Sequence, residues 1–167
     1  YSSNNKTIEL TNLGLTPLVN KYDYANKVGF QAGWHHLHNI DIKLSNLDIH
    51  RLLRDKVVHL KSIETKGGTL DIFKDKELPI PSDQYRPMLQ DAIKAVNIPF
   101  ILDSLSVDNF RVNFTSRLTS DLPEGSLNFH EISAKSTQIT NIDTLLFDQP
   151  HLKLVASTKI MGNGLLI

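Results

Sequence analysis

The sequence predicts a mainly β fold, a β-rich α+β module whose strands form a curled antiparallel sheet with two short helices. Three observations carry that prediction. Apolar and polar residues alternate over many short runs, as they do in half-buried strands. Glycine, proline and asparagine clusters separate the runs. The hydrophobic fraction of 40% is slightly low for a globule buried on all sides, which suits a sheet with one apolar face.

Taken in order, Ile8-Glu9-Leu10 begins the first strand, and Ile40-Asp41-Ile42-Lys43-Leu44 shows the clearest alternation. Val58 and Leu60 flank His59, and Thr69-Leu70-Asp71-Ile72-Phe73 reads as a separate strand beyond Gly67-Gly68. Phe100 to Leu102 leads into Leu105-Ser106-Val107, and Phe110, Val112 and Phe114 alternate with polar neighbours. Ser126–His130 and Leu152–Ala156 complete the set, with breakers at Pro79-Ile80-Pro81 and Leu122-Pro123-Glu124-Gly125. Thr16-Pro17 predicts a helix start, running towards Lys27 and stopping at Gly29. Between Pro87 and Val96, the stripe Met88, Leu89, Ala92, Ile93 and Val96 predicts a second helix that plugs the sheet, ended by Pro99.

The chain also echoes itself. Residues 58–72 shifted by 42 fall on 100–114, so that Val58 meets Phe100, Gly67 meets Asn109, Leu70 meets Val112 and Ile72 meets Phe114. Each copy reads as strand, tight turn, strand, and suggests a sheet grown from stacked units. A shorter echo joins Asn12-Leu13-Gly14-Leu15 to Asn46-Leu47-Asp48-Ile49. A single module over residues 1–167 is expected. The chain opens on Tyr1 and closes on Gly164-Leu165-Leu166-Ile167, which reads as a piece excised from a larger protein.

Composition removes several functions. Eighteen basic residues balance 18 acidic ones, so no positive excess exists for nucleic acid. With no cysteine, thiol catalysis and disulfides are excluded. No apolar run approaches the length of a membrane-spanning helix. Nucleophile elbows and phosphate-binding glycine loops are absent, and no enzyme or cofactor is expected. Asn5-Lys6-Thr7 and Asn113-Phe114-Thr115 match short glycosylation acceptors.

Trp34-His35-His36-Leu37-His38 is the one cluster with chemical potential. On a strand His36 and His38 share a face, a spacing that can present two nitrogens to zinc. Asp41, Glu9 and His50 are equal candidates for a third ligand. The plainer alternative makes these histidines polar fillers of an exposed strand edge, and a metal-dependent hydrolase is the functional extreme.

The order of segments resembles the AsmA-like envelope proteins of Gram-negative bacteria, in the form found in Bacteroidetes. Ile8–Leu18, Lys21–Ala25, Ile40–Ile49 with Leu52-Leu53, Ile63–Phe73 and Phe73–Lys76 before Pro79 carry it first. Ile101–Phe114, Gly125–Ala134, Ile139–Ile142 and Ala156–Gly164 continue it. The resemblance implies a non-catalytic periplasmic module, held at the inner membrane by a segment outside this chain. It also implies an apolar groove that shields or conducts phospholipid acyl chains in outer-membrane biogenesis. Candidate lipid-facing residues are Ile40, Ile42, Leu44, Val58, Leu60, Leu70, Ile72, Val112, Phe114, Leu127 and Phe129. The alternative is a structural or protein-interaction β-sandwich, with those residues closed over as a core and envelope proteins as partners.

Overall fold

A computed structural model describes residues 6–81, 88–146, 152–161 and 164–166. The chain runs β1 (Thr7–Leu15), α1 (Lys21–Val28), β2 (Gly33–Ser45), α2 (Ile49–Asp55), β3 (Val58–Asp75), α3 (Leu89–Lys94), β4 (Phe100–Arg117), β5 (Gly125–Thr140), α4 (Asp143–Leu146), β6 (Lys153–Ile160) and β7 (Gly164–Leu166). The protein is mainly β. Its strands form one open sheet in sequence order, β1 to β7, and not two sheets packed face to face.

Two expectations change. The sheet is mixed, because β3 and β4 run parallel while all other neighbours run antiparallel. Among the described residues there are four short helices where two were predicted. The parallel pair requires a crossover, and residues 76–99, containing α3, supply it.

The internal echo has a structural meaning different from the predicted one. Residues 58–75 form one continuous strand, and so do 100–117. The two copies lie side by side in register, with Val58 opposite Phe100 and Asp75 opposite Arg117, an offset of 42 throughout. Gly67-Gly68 is therefore no tight turn but an irregularity within a strand. Gly67 has φ 67° and its counterpart Asn109 has φ 53°. Both turns and bulges demand that left-handed conformation, so the sequence signal is the same for each.

The same conformation recurs across the sheet. Asn12, Asn39, Gly67, Asn109 and Glu131 all have positive φ. The strand registers place them in one lateral row across β1 to β5, between the pairs on either side of it. Each inserts one extra residue and shifts the side-chain alternation by one. Without the shift, Glu64 and Lys66 would share a face with Leu70 and Ile72. With it, the apolar side chains stay on one face along the full strand. A Cβ on Gly68 would lie 2.6 Å from the Phe110 ring and 3.2 Å from Ile40 Cβ, which places these three positions on that face.

At the far end of the opposite face sits α1. Asn20 caps it, its side-chain oxygen accepting from the backbone N–H groups of Tyr22 and Asp23. The helix starts later than Thr16-Pro17 suggested because Asn20 supplies the cap, and it ends where Gly29 takes the left-handed conformation (φ 74°). Tyr22 meets Phe73 edge-on at 5.4 Å, and Phe73 is 1% exposed. Lys21 reaches Glu124 at 2.7 Å, and Tyr22 donates its hydroxyl proton to the same carboxylate. Burial alone would push the Glu124 carboxyl up, but Lys21 and Tyr22 outweigh it and hold it below the usual range. Burial likewise opposes the Lys21 charge, and Glu124 outweighs it to raise the ammonium. Beside them the buried Asp75 carboxylate accepts from Arg117 and from the Glu77 backbone N–H.

The second predicted helix is shorter than expected, and its stripe does not plug the sheet. Met88 and Leu89 are 68% and 53% exposed. Pro87 lies outside the described residues.

Candidate functional site

Two features on opposite faces of the sheet qualify. The first is the apolar face. Following the register and its bulge shift, Ile8, Leu10 and Leu13 come from β1, Ile40, Ile42 and Leu44 from β2, and Ile63, Leu70 and Ile72 from β3. Leu105, Val107, Phe110, Val112 and Phe114 on β4 continue it, then Leu127, Phe129 and Ile132 on β5 and Leu154, Ala156 and Ile160 on β6. Nine of the eleven predicted lipid-facing residues thus share one face. Val58 and Leu60 do not: alternation is unbroken from Val58 to Lys66, so they fall on the opposite face with Glu64 and Lys66, at the start of β3 where α2 packs against that strand. There Leu60 neighbours Leu102, and Leu102 neighbours Ile139, two of the few buried side chains.

Burial shows that this face lacks a second layer. Among the described residues, only Ala25, Ile40, Phe73, Leu102 and Ile139 form a buried apolar core. The other predicted lipid-facing residues are half-buried, and Leu127 is 37% exposed. Total accessible surface is 11593 Å², against about 8,300 Å² expected for a compact monomer of this mass. Six strands at about 4.8 Å spacing and a stretch of some nine residues outline an apolar surface on the order of 700 Å². Soluble monomers rarely expose more than a few hundred.

A groove of about 960 Å³ is lined by the charged alternation, with Glu9, Asp41, Lys43, Glu64, Lys66 and Asp108, together with Leu10, Ile42, Leu105 and Val107 of the apolar set. Of the predicted lipid-facing residues only Ile42 contributes to its lining. Charges of opposite sign face one another across strands here, Glu9 with Lys43, Lys43 with Glu64, and Lys66 with both Asp41 and Asp108. Each such pair adds a few tenths of a kcal/mol to strand pairing.

The second feature is the histidine cluster, on the same polar face. His36 and His38 do share a face, and β2 is an interior strand, not the edge that polar fillers would occupy. The neighbouring carboxylate is Asp71, which lies directly opposite His36. Its Oδ2 is 3.0 Å from His38 Nε2 and 3.8 Å from His36 Nδ1. None of the three expected partners supplies it. Asp41 accepts the Asn12 backbone N–H, Glu9 pairs with Lys43, and His50 sits on α2. Asp71 was visible only as an apolar-run neighbour, since the pairing register that brings it to His36 is a tertiary fact. Asn113 of the glycosylation-like triplet donates its side-chain N–H to Asp71 Oδ1 at 2.8 Å, so it is engaged within the sheet. Asn5 lies outside the described residues.

No helix among the described residues is long and apolar enough to cross a membrane. No family model, curated protein or solved structure matches the chain.

Proposed function

We propose that this chain is a non-catalytic module of an AsmA-like periplasmic protein, anchored at the inner membrane through a segment outside it, whose apolar sheet face shields or conducts lipid acyl chains. The observation that supports the reading most is the uncovered apolar face, kept continuous by the row of left-handed residues. Burial of apolar surface is non-directional and contributes about 25 cal/mol per Å², so flexible hydrocarbon suits an extended face that lacks fixed polar anchors. The 18 residues of β3 or β4 rise about 60 Å, roughly twice the hydrocarbon thickness of a bilayer, so tails fit lengthwise.

The test is extraction and binding. Protein purified from bacteria is extracted into organic solvent and analysed for phospholipid by mass spectrometry, then titrated with a fluorescent fatty acid. Co-purified phospholipid is expected, together with saturable probe binding weakened at least fivefold by Leu10→Asp with Leu127→Asp. Glu64→Lys on the other face should leave it unchanged. No lipid and no probe binding would refute the proposal. A second reading, a protein-interaction module, rests on the two sheet edges: among the described residues β1 pairs only with β2, and β7 only with β6. An unpaired edge can accept a partner strand.

A further inference from the structure

We propose that His36, His38 and Asp71 form a binding site for a divalent transition-metal ion of the zinc class, bridging β2 and β3. The donor set comes first. Two imidazoles and one carboxylate suit zinc, copper, nickel or cobalt, whereas magnesium and calcium favour oxygen alone.

Geometry follows. The three ligand atoms all lie within 4.8 Å of one another, with His38 Nε2 to Asp71 Oδ2 at 3.0 Å and His36 Nδ1 to the same oxygen at 3.8 Å. Zinc bonds of about 2.0–2.2 Å in a tetrahedron set donor atoms roughly 3.3 Å apart. The two separations to Asp71 bracket that value, and the histidine nitrogens, within 4.8 Å of each other, close on an ion by side-chain rotation. Three protein ligands leave a fourth position for water.

The scaffold is rigid where it needs to be. His36 and Asp71 face each other on adjacent, hydrogen-bonded strands, and His38 follows two residues along. Neighbouring amides support the ligands. Asn113 Nδ2 donates to Asp71 Oδ1 at 2.8 Å and leaves Oδ2 facing the imidazoles. The Asn39 amide lies 3.0 Å from His38 Nδ1. With metal on Nε2, Nδ1 carries the proton, and the Asn39 amide turns its oxygen to accept it. Contacts of this kind fix ligand orientation in metal sites. The ligand side chains are 30–35% exposed, so an ion can enter from solvent.

Trp34 makes the site observable. Its ring lies 5.7 Å from that of His36, and it is the chain's single tryptophan. Untagged full chain, stripped with chelator, is titrated with zinc by calorimetry and with copper(II) by tryptophan fluorescence. One equivalent is expected to bind with Kd of about 10 µM or tighter, with copper quenching Trp34 and excess EDTA reversing it. His38→Ala and Asp71→Asn should each weaken binding at least tenfold, while His50→Ala changes nothing. Asp71→Asn keeps an oxygen for Asn113, so it preserves the sheet contact. Should either variant misfold, the copper EPR spectrum of the wild-type chain decides, because two imidazole nitrogens must appear in it. No binding heat, zinc binding indifferent to both variants, or a spectrum without nitrogen coupling would each overturn the proposal.

Discussion

Truncating Phe73 tests how the sheet holds α1. Phe73 is 1% exposed, touches Tyr22 of α1 edge-on at 5.4 Å, and carries the Lys21 ammonium 4.7 Å above its ring. Phe73→Ala removes the whole ring and leaves a cavity between a strand and a helix that can only partly settle. Buried Phe→Ala changes cost about 3–5 kcal/mol, of which the aromatic pair itself accounts for about 0.5–1.5 kcal/mol. With a urea slope of about 2 kcal/mol per M, the unfolding midpoint should fall by roughly 1.5–2.5 M. Trp34 is the natural probe, because it lies opposite Phe73 across β2 and β3 and donates its indole N–H to the Val19 carbonyl at 2.9 Å. Its emission should shift to the red in the variant even before the main transition, as α1 loosens. Phe73→Leu, which keeps most of the volume, should lose about 1 kcal/mol. A loss below about 1 kcal/mol for Phe73→Ala would refute the reasoning, since α1 would then contribute nothing to the fold.

Other expectations follow from the same contacts. Gly68→Ala sets a Cβ 2.6 Å from the Phe110 ring at φ 99°, so it should destabilise, by about 1–3 kcal/mol on thermal melting. Gly67→Asn should stay within about 1 kcal/mol of wild type, because Asn109 holds the equivalent place in β4 at φ 53° and only the Asn39 carbonyl, at 3.5 Å, is near. The lowered Glu124 carboxyl contributes stability that is present above its unfolded value and lost as pH falls through its folded one. The raised Lys21 ammonium contributes below pH 10.5 and loses that contribution as pH rises through its folded value. Glu124→Gln should therefore flatten the acid limb of a stability–pH curve below pH 4.5, and an unchanged limb would show the pair to be idle. Replacing Arg117 with Gln strands the buried Asp75 carboxylate and should lower the urea midpoint, whereas Asp75→Leu with Arg117→Met should recover most of the loss.

Much of the architecture is local information. A strand announces itself by side-chain period, so Ile40–Leu44, Phe110–Phe114 and Ser126–His130 were legible, as was the helix ending at Gly29. The 42-residue echo was legible too, but not its geometry. Alternation breaks at Gly67 and Asn109 whether the chain turns back or merely bulges. Only the partner strand, parallel and in register, distinguishes the two.

The sequence by itself determined that this protein has amphipathic strands and one apolar set of side chains, because each residue's polarity is fixed by its chemistry. Tertiary structure decided the rest. Five left-handed residues on five strands had to align before the apolar positions could share one face. Strand register had to bring Asp71 opposite His36 before two histidines became a three-ligand cluster. Both results depend on which strands lie beside one another, and pairing between residues tens of positions apart leaves no local pattern in the chain.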